Sequence, residues 1–230
     1  MKIFRRLRQK LVLKRDIRKY LLYAAGEIAL IVIGILIALS LNNWQESNVK
    51  KKQEKNLYSD IVEELKIDLR EVRGNGVYNQ NHLTRYEKAV GIVLNDEDWK
   101  LVDTLAVIAF ELTKFSDFKN EGSAYQKLTV SGKIDLISDN DILNSLQNLA
   151  ILYNYINRLE RNQEEFVYTL VPRLTEYIRI NPLKVMQPEK LYDYTFHNDI
   201  EIIIMLCKEK QGLYEQAEAD LNALIEKLSE

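Results

Sequence analysis

The chain has 230 residues, 32 of them basic and 34 acidic, and 47% are hydrophobic. That balance excludes a disordered chain and a strongly basic nucleic-acid-binding protein, and the single cysteine, Cys207, excludes an internal disulfide framework. The net charge of −2 conceals two opposed regions, because residues 1–19 hold nine basic side chains against one acid, Asp16.

In that first segment Arg5, Arg6, Arg8, Lys10, Lys14, Arg15, Arg18 and Lys19 alternate with Phe4, Leu7, Leu11 and Ile17 at three- and four-residue steps. The pattern predicts a basic amphipathic tail lying along anionic headgroups rather than a nucleic-acid arm, since an apolar run follows within a few residues. Leu21 to Leu41 (LLYAAGEIALIVIGILIALSL) is apolar except for Glu27. At about 1.5 Å per residue it is long enough to cross a hydrocarbon layer of about 30 Å. The excess of positive charge ahead of it predicts a cytoplasmic amino terminus and a periplasmic remainder. Tyr20 and Tyr23 at one end and Trp44 at the other stand where aromatic rings settle at the interface. Ala38, Leu39 and Ser40 form a small-x-small cleavage pattern, but the long basic preamble and the length of the apolar run favour a retained anchor. Residues 1–19 are thus read as a cytoplasmic tail, 20–44 as a transmembrane helix and 45–230 as a periplasmic domain.

Within the span, Tyr20, Glu27, Gly34 and Leu41 recur every seven residues, and Gly34 with Ala38 makes a small-xxx-small pair on the same face. That face is a candidate packing seam with another span. A carboxylate such as Glu27 near the cytoplasmic edge otherwise reaches back to the interface or pairs with Arg18 or Lys19.

Beyond Trp44, Val62, Leu65, Leu69, Val72, Gly76, Asn79, Leu83, Tyr86, Val90 and Val93 keep one helical phase. They predict a stalk helix over about 57–94, with a weak point at Gly74–Asn75–Gly76, where a two-helix hairpin is the alternative. Asn95–Asp98 ends it. A second helix is expected from about Trp99 to Lys114, and a short one from Ser123 through Leu128, stopped by Gly132. A longer helix opens with Ser138 as N-cap and runs to about Leu170, with a bend at Pro172. After a break at 181–188, a final helix uses Ile200, Ile203, Cys207, Tyr214, Ala217, Leu221, Leu224 and Leu228. No strand-like alternation with hairpin turns is apparent, so the outer domain is expected to be an antiparallel helical bundle and the fold class all-α.

No catalytic, cofactor or metal signature survives inspection. His82 and His197 lack ligand-spaced partners, and Gly132–Lys133 lacks the earlier glycine and the following Ser or Thr of a phosphate loop. Asp96, Glu97, Asp98, Asp139 and Asp141 lack the pattern of a calcium loop. No hydrolase motif is present, so no enzyme and no cofactor are expected. Thirteen tyrosines, among them Tyr153, Tyr155, Tyr168, Tyr177, Tyr192 and Tyr194, admit a pocket between helices but sit as readily at a core edge.

The stretches KIFRRLRQKL, YAAGEIALIVIGILIALSLNNWQE and SAYQKLTVSGKIDLISDNDILNSL together resemble a family of short inner-membrane proteins of bacteroidete bacteria, the domain of unknown function six-zero-nine-zero. The likeness spans nearly the full chain and is most specific in the membrane stretch, with Tyr125, Leu128, Gly132, Leu136 and Ile137 matching best beyond it. It implies a single-pass anchor and a helical outer domain, and it implies no activity. The function expected is that of a non-catalytic interaction or scaffold module. Such a module would pair with itself or with another membrane protein, and a ligand-sensing or solute-binding bundle is the alternative.

Overall fold

The computed structural model describes residues 17–118 and 123–229. The basic positions Arg5, Arg6, Arg8, Lys10, Lys14 and Arg15 lie outside the described residues, as do the side chains of Lys19 and Tyr20. The chain divides into two compact units between Lys55 and Asn56.

Helix α1 runs without interruption from Ile17 to Asn95. Gly74 and Gly76 do not break it, because an unbroken apolar phase on both sides rewards continuity more than two glycines weaken it. Gly76 is buried, and a Cβ added there would meet Tyr214 Cβ at 3.5 Å, whereas one added at Gly74 would meet nothing within 4 Å. Gly74→Ala is therefore expected to raise stability by about 0.5–1 kcal/mol through helix propensity alone, as a shift in the urea midpoint at constant slope would record.

In the second unit α1 is joined by α2 (Val102–Glu111), α3 (Ala124–Val130), α4 (Asn140–Tyr177), α5 (Pro188–Leu191) and α6 (Tyr194–Ser229). A 3-10 turn occupies Lys133–Leu136. Helix α6 runs against both α1 and α4. Arg73 of α1 pairs with Glu218 at 2.7 Å and Glu87 with Lys208 at 2.9 Å. Tyr155 of α4 meets Glu209 at 2.5 Å and Arg173 meets Asp199 at 2.9 Å. Helices α1 and α4 consequently run the same way, and the segment between them returns the chain along the bundle. The all-α class and the helical bundle are as the sequence implies.

Several local expectations need correction. The N-cap of α4 is Asp139, not Ser138: its Oδ1 accepts the backbone N–H of Asp141 at 2.7 Å and of Ile142 at 3.3 Å. That helix also continues past Pro172 to Tyr177. The carbonyl that the missing N–H would have bonded belongs to Tyr168, which is 67% exposed and so within reach of water. The chain around the 181–188 break forms an antiparallel two-residue ladder, β1 (Ile178–Arg179) before it with β2 (Lys184–Val185) inside it, pairing Ile178 with Val185 and Arg179 with Lys184. Two-residue strands are too short to register as alternation. Helix α2 is shorter than expected. It is preceded by a turn in which Trp99 takes φ 55°, while Asp96 Oδ1 and Oδ2 accept the N–H groups of Lys100 and Leu101 at 3.0 and 2.7 Å. Helix α3 starts at the expected cap and runs past Leu128 to Val130: Ser123 Oγ accepts Gln126 N–H at 3.3 Å, and Gly132 at φ 67° supplies the left-handed stop.

The interior is not continuous. One apolar core includes Leu57, Ile61, Leu65 and Val72 of α1, Leu146, Leu149 and Ile156 of α4, and Tyr214, Leu221 and Leu224 of α6. A second includes Leu83, Tyr86 and Ile92 of α1, Leu105 and Leu112, Leu170 and Leu174 of α4, and Phe196, Ile200 and Ile203 of α6. Between them lies a polar waist.

Candidate functional site

The waist forms where the three- and four-residue rhythm of each long helix places a polar residue at an inward position. These are Asn79 on α1, Glu160 and Gln163 on α4 and Lys210 on α6, all buried. The loop after α2 crosses the waist and carries Ser116 into it, also buried. Lys210 Nζ donates to Ser116 Oγ at 2.7 Å, Ser116 Oγ lies 3.0 Å from the Tyr214 hydroxyl, and that hydroxyl meets Glu160 Oε1 at 2.5 Å. Phe118 N–H donates to Glu160 Oε2 at 2.7 Å. Tyr214 has one proton, and the carboxylate is its stronger acceptor, so the serine hydroxyl donates to tyrosine and the chain runs from ammonium to carboxylate through two hydroxyls. Burial holds the Lys210 ammonium below the usual lysine range and the Glu160 carboxyl above the usual carboxylate range. Asn79 Nδ2 ties α1 to the same layer, donating to the Cys207 carbonyl at 2.8 Å and to Gln211 Oε1 at 3.1 Å. Cys207 itself is buried, with its thiol pushed up by burial, as its apolar neighbours imply.

Beside the waist, the exposed side of α1 and the end of α2 enclose an open cleft of about 660 Å³. Tyr78, Asn81, His82, Thr84 and Arg85 line it from α1, and Glu111 and Lys114 from the other wall. Tyr86, fully buried, fixes that wall by donating its hydroxyl to the Glu111 carbonyl at 2.9 Å. Arg85 Nη1 donates to Glu111 Oε1, while Glu111 Oε2 and His82 Nδ1 are buried without a hydrogen-bond partner among the described residues. The Tyr78 and His82 rings are in contact, 4.4 Å between centroids. Among the described residues no cluster of His, Cys, Asp and Glu could hold a metal ion. The tyrosines singled out in the sequence do not gather at one pocket. Tyr153 and Tyr177 are buried in different cores, and Tyr168 and Tyr194 are exposed.

The candidate seam residues Glu27, Gly34, Ala38 and Leu41 all lie on α1, with Tyr20 in the same helix backbone. Gly34 has no atom within 4 Å of an added Cβ. Glu27 is half-buried, and Arg18, Tyr23 and Trp44 are exposed. Among the described residues, no position in the most apolar window of this stretch is buried. The waist and the cleft escaped sequence reasoning. Lys210 continues the α6 core rhythm of Ile203, Cys207, Tyr214 and Ala217, which was a usable signal, whereas Ser116 sits in a loop that carries none.

Among the described residues one helix is long and apolar enough to cross a membrane, and it continues into an all-α bundle with a buried polar layer. The protein is thus a helical-bundle protein with one candidate membrane span. It belongs to the family of unknown function DUF6090, which matches residues 27–211, from Glu27 in the apolar stretch to Gln211 beside the waist. Neither a curated protein nor a solved structure matches the chain.

Proposed function

We propose that this protein is a membrane-anchored helical interaction module that acts as a scaffold without catalysis, either by self-association or as an accessory subunit of an inner-membrane complex. The observation that carries this reading is the apolar stretch of α1, long enough to cross a membrane and with no buried residue in its most apolar window among the described residues. Such a surface is stable only in lipid or against another apolar partner. The tail bases Arg5, Arg6, Arg8, Lys10, Lys14, Arg15, Arg18 and Lys19 then rest on anionic headgroups on the cytoplasmic side, and the bundle lies in the periplasm. Tyr20, Tyr23 and Trp44 mark the two interfaces, and the face of Tyr20, Glu27, Gly34, Ala38 and Leu41 is the seam.

Glu27→Leu tests the seam. Native mass spectrometry after mild detergent extraction is expected to find an assembly for the wild type and a shift toward monomer for the variant. A strictly monomeric wild-type particle would end the self-association reading, and an unchanged assembly in Glu27→Leu would remove Glu27 from the seam.

The cleft lined by His82, Arg85, Glu111 and Lys114 favours a second reading, a ligand-binding bundle. Its volume of about 660 Å³ lies within the range of small-molecule sites, and charged side chains of both signs line it.

A further inference from the structure

The cleft beside the waist has two opposite poles held together by a single ion pair. Arg85 is 57% exposed on its side chain and spans to Glu111, which is only 9% exposed and keeps Oε2 unpaired. Lys114, exposed in the same wall, forms no ion pair among the described residues and lies 5.7 Å from the Phe110 ring centroid. One anionic group, two cationic groups and the Tyr78 ring therefore line a space of ligand size.

A ligand with one charge satisfies only part of this set. A bare carboxylate pairs with Lys114 and Arg85 but draws Arg85 away and leaves the buried Glu111 carboxylate without a partner. A bare amine pairs with Glu111 but competes with Arg85 and is repelled by Lys114. A molecule carrying both charges on neighbouring atoms resolves the conflict: its carboxylate takes Arg85 and Lys114, and its ammonium replaces Arg85 on Glu111. The internal ion pair is exchanged for two external ones and no buried charge is stranded. Burial keeps the His82 imidazole below its usual range, so the ring adds no third positive charge to the cleft wall. Tyr78, in contact with that ring, offers an apolar face to the rest of the molecule.

We propose that this cleft binds a free α-amino acid, with the carboxylate on Arg85 and Lys114 and the ammonium on Glu111. The proposal rests on the second, ligand-binding reading and names its ligand class.

The test is calorimetric titration of the full chain in detergent micelles with each protein amino acid singly, and then with the N-acetyl and carboxamide derivatives of whichever binds. At least one amino acid is expected to bind with Kd below about 1 mM, and both derivatives at least about tenfold more weakly. Lys114→Ala, which removes an exposed side chain outside any ion pair among the described residues, is expected to weaken binding about tenfold or more at unchanged melting temperature, and Arg85→Ala to weaken it likewise. Absence of saturable heat for every amino acid up to about 10 mM would overturn the proposal alone, since a ligand of another class still fits the ligand-binding reading. Binding of either derivative as tight as that of its parent, still lost in Lys114→Ala, would overturn the amino-acid assignment and leave the cleft a ligand site of another class.

Discussion

Replacing Lys210 by methionine is expected to destabilise the bundle by about 3–5 kcal/mol, while adding Glu160→Gln to that variant recovers most of the loss. The asymmetry follows from burial. Lys210 is fully buried and Glu160 nearly so, and the two charges compensate each other through Ser116 and Tyr214. Removing the ammonium alone leaves a carboxylate in a low-dielectric layer, held by neutral donors, among them the Phe118 N–H and the Tyr214 hydroxyl. Removing both charges leaves hydrogen-bonding groups of similar shape with no ion to desolvate. Denaturant unfolding of the two single variants and the double variant closes the cycle, and additive losses would show that the two charges are not coupled. The single variant also carries a pH signature. Glu160 has its folded-state pKa raised, chiefly by burial, so the native state binds the proton more tightly than the unfolded chain does. The stability of Lys210→Met is therefore expected to rise as pH falls through that raised value and to level off below the ordinary carboxylate range. A fall in its stability over the same interval would contradict the assignment.

Tyr86→Ala is the second large effect, at about 3–5 kcal/mol. The side chain is fully buried in the core that holds Leu83, Leu112 and Ile203, and truncation removes an aromatic ring that close-packed neighbours refill only in part. Tyr86→Phe separates ring from hydroxyl. It removes the bond to the Glu111 carbonyl, which also accepts the Lys114 N–H at 3.0 Å and so is not orphaned, together with a longer contact of 3.3 Å to the Lys114 carbonyl. The cost expected is about 0.5–1 kcal/mol, at the low end for a buried hydrogen bond. Because the same hydroxyl ties α1 to the end of α2, Tyr86→Phe is also expected to loosen the cleft wall, visible as faster amide exchange at residues 111–114 without global unfolding. Equal losses for Phe and Ala would mean that the hydroxyl, not the ring, dominates.

The long elements were legible in the sequence for one reason: an apolar repeat of three and four residues, sustained over many turns, matches the period of a helix and of no strand or loop. It favoured one helix through Gly74 and Gly76 over the hairpin alternative, and it marked most of α4 and the core face of α6. What was not legible depended on partners distant in sequence. Ser116 meets Lys210 and Tyr214 across nearly a hundred residues, and nothing around Ser116 signals a polar layer. Lys210 and Glu160 stood in plain view at core positions of regular repeats, where a charge is costly and so informative, but an apolar rhythm is easily read past its exceptions. The N-cap passed from Ser138 to Asp139 because adjacent residues compete for one cap and only geometry chooses between them. The β1–β2 ladder is held by the second core rather than by strand propensity, since Ile178 is buried there with Val185 packed against it, and the Met186 N–H reaches the Tyr177 carbonyl at 2.9 Å. The cleft drew on Tyr78, His82 and Arg85, each unremarkable on a helix surface until the end of α2 arrives opposite them.

The proposed role depends above all on Leu21 to Leu41 being a retained, once-through anchor, with the bundle on the far side of the membrane from the amino terminus. The decisive measurement fuses, in parallel, a reporter active only in the periplasm and one fluorescent only in the cytoplasm to the carboxyl terminus of the full chain. Activity from the periplasmic reporter and darkness from the other are expected, in cells whose fusion protein stays with the membrane after an alkaline wash. A fluorescent cytoplasmic fusion, or a fusion protein released by that wash, would contradict the anchor and the topology together.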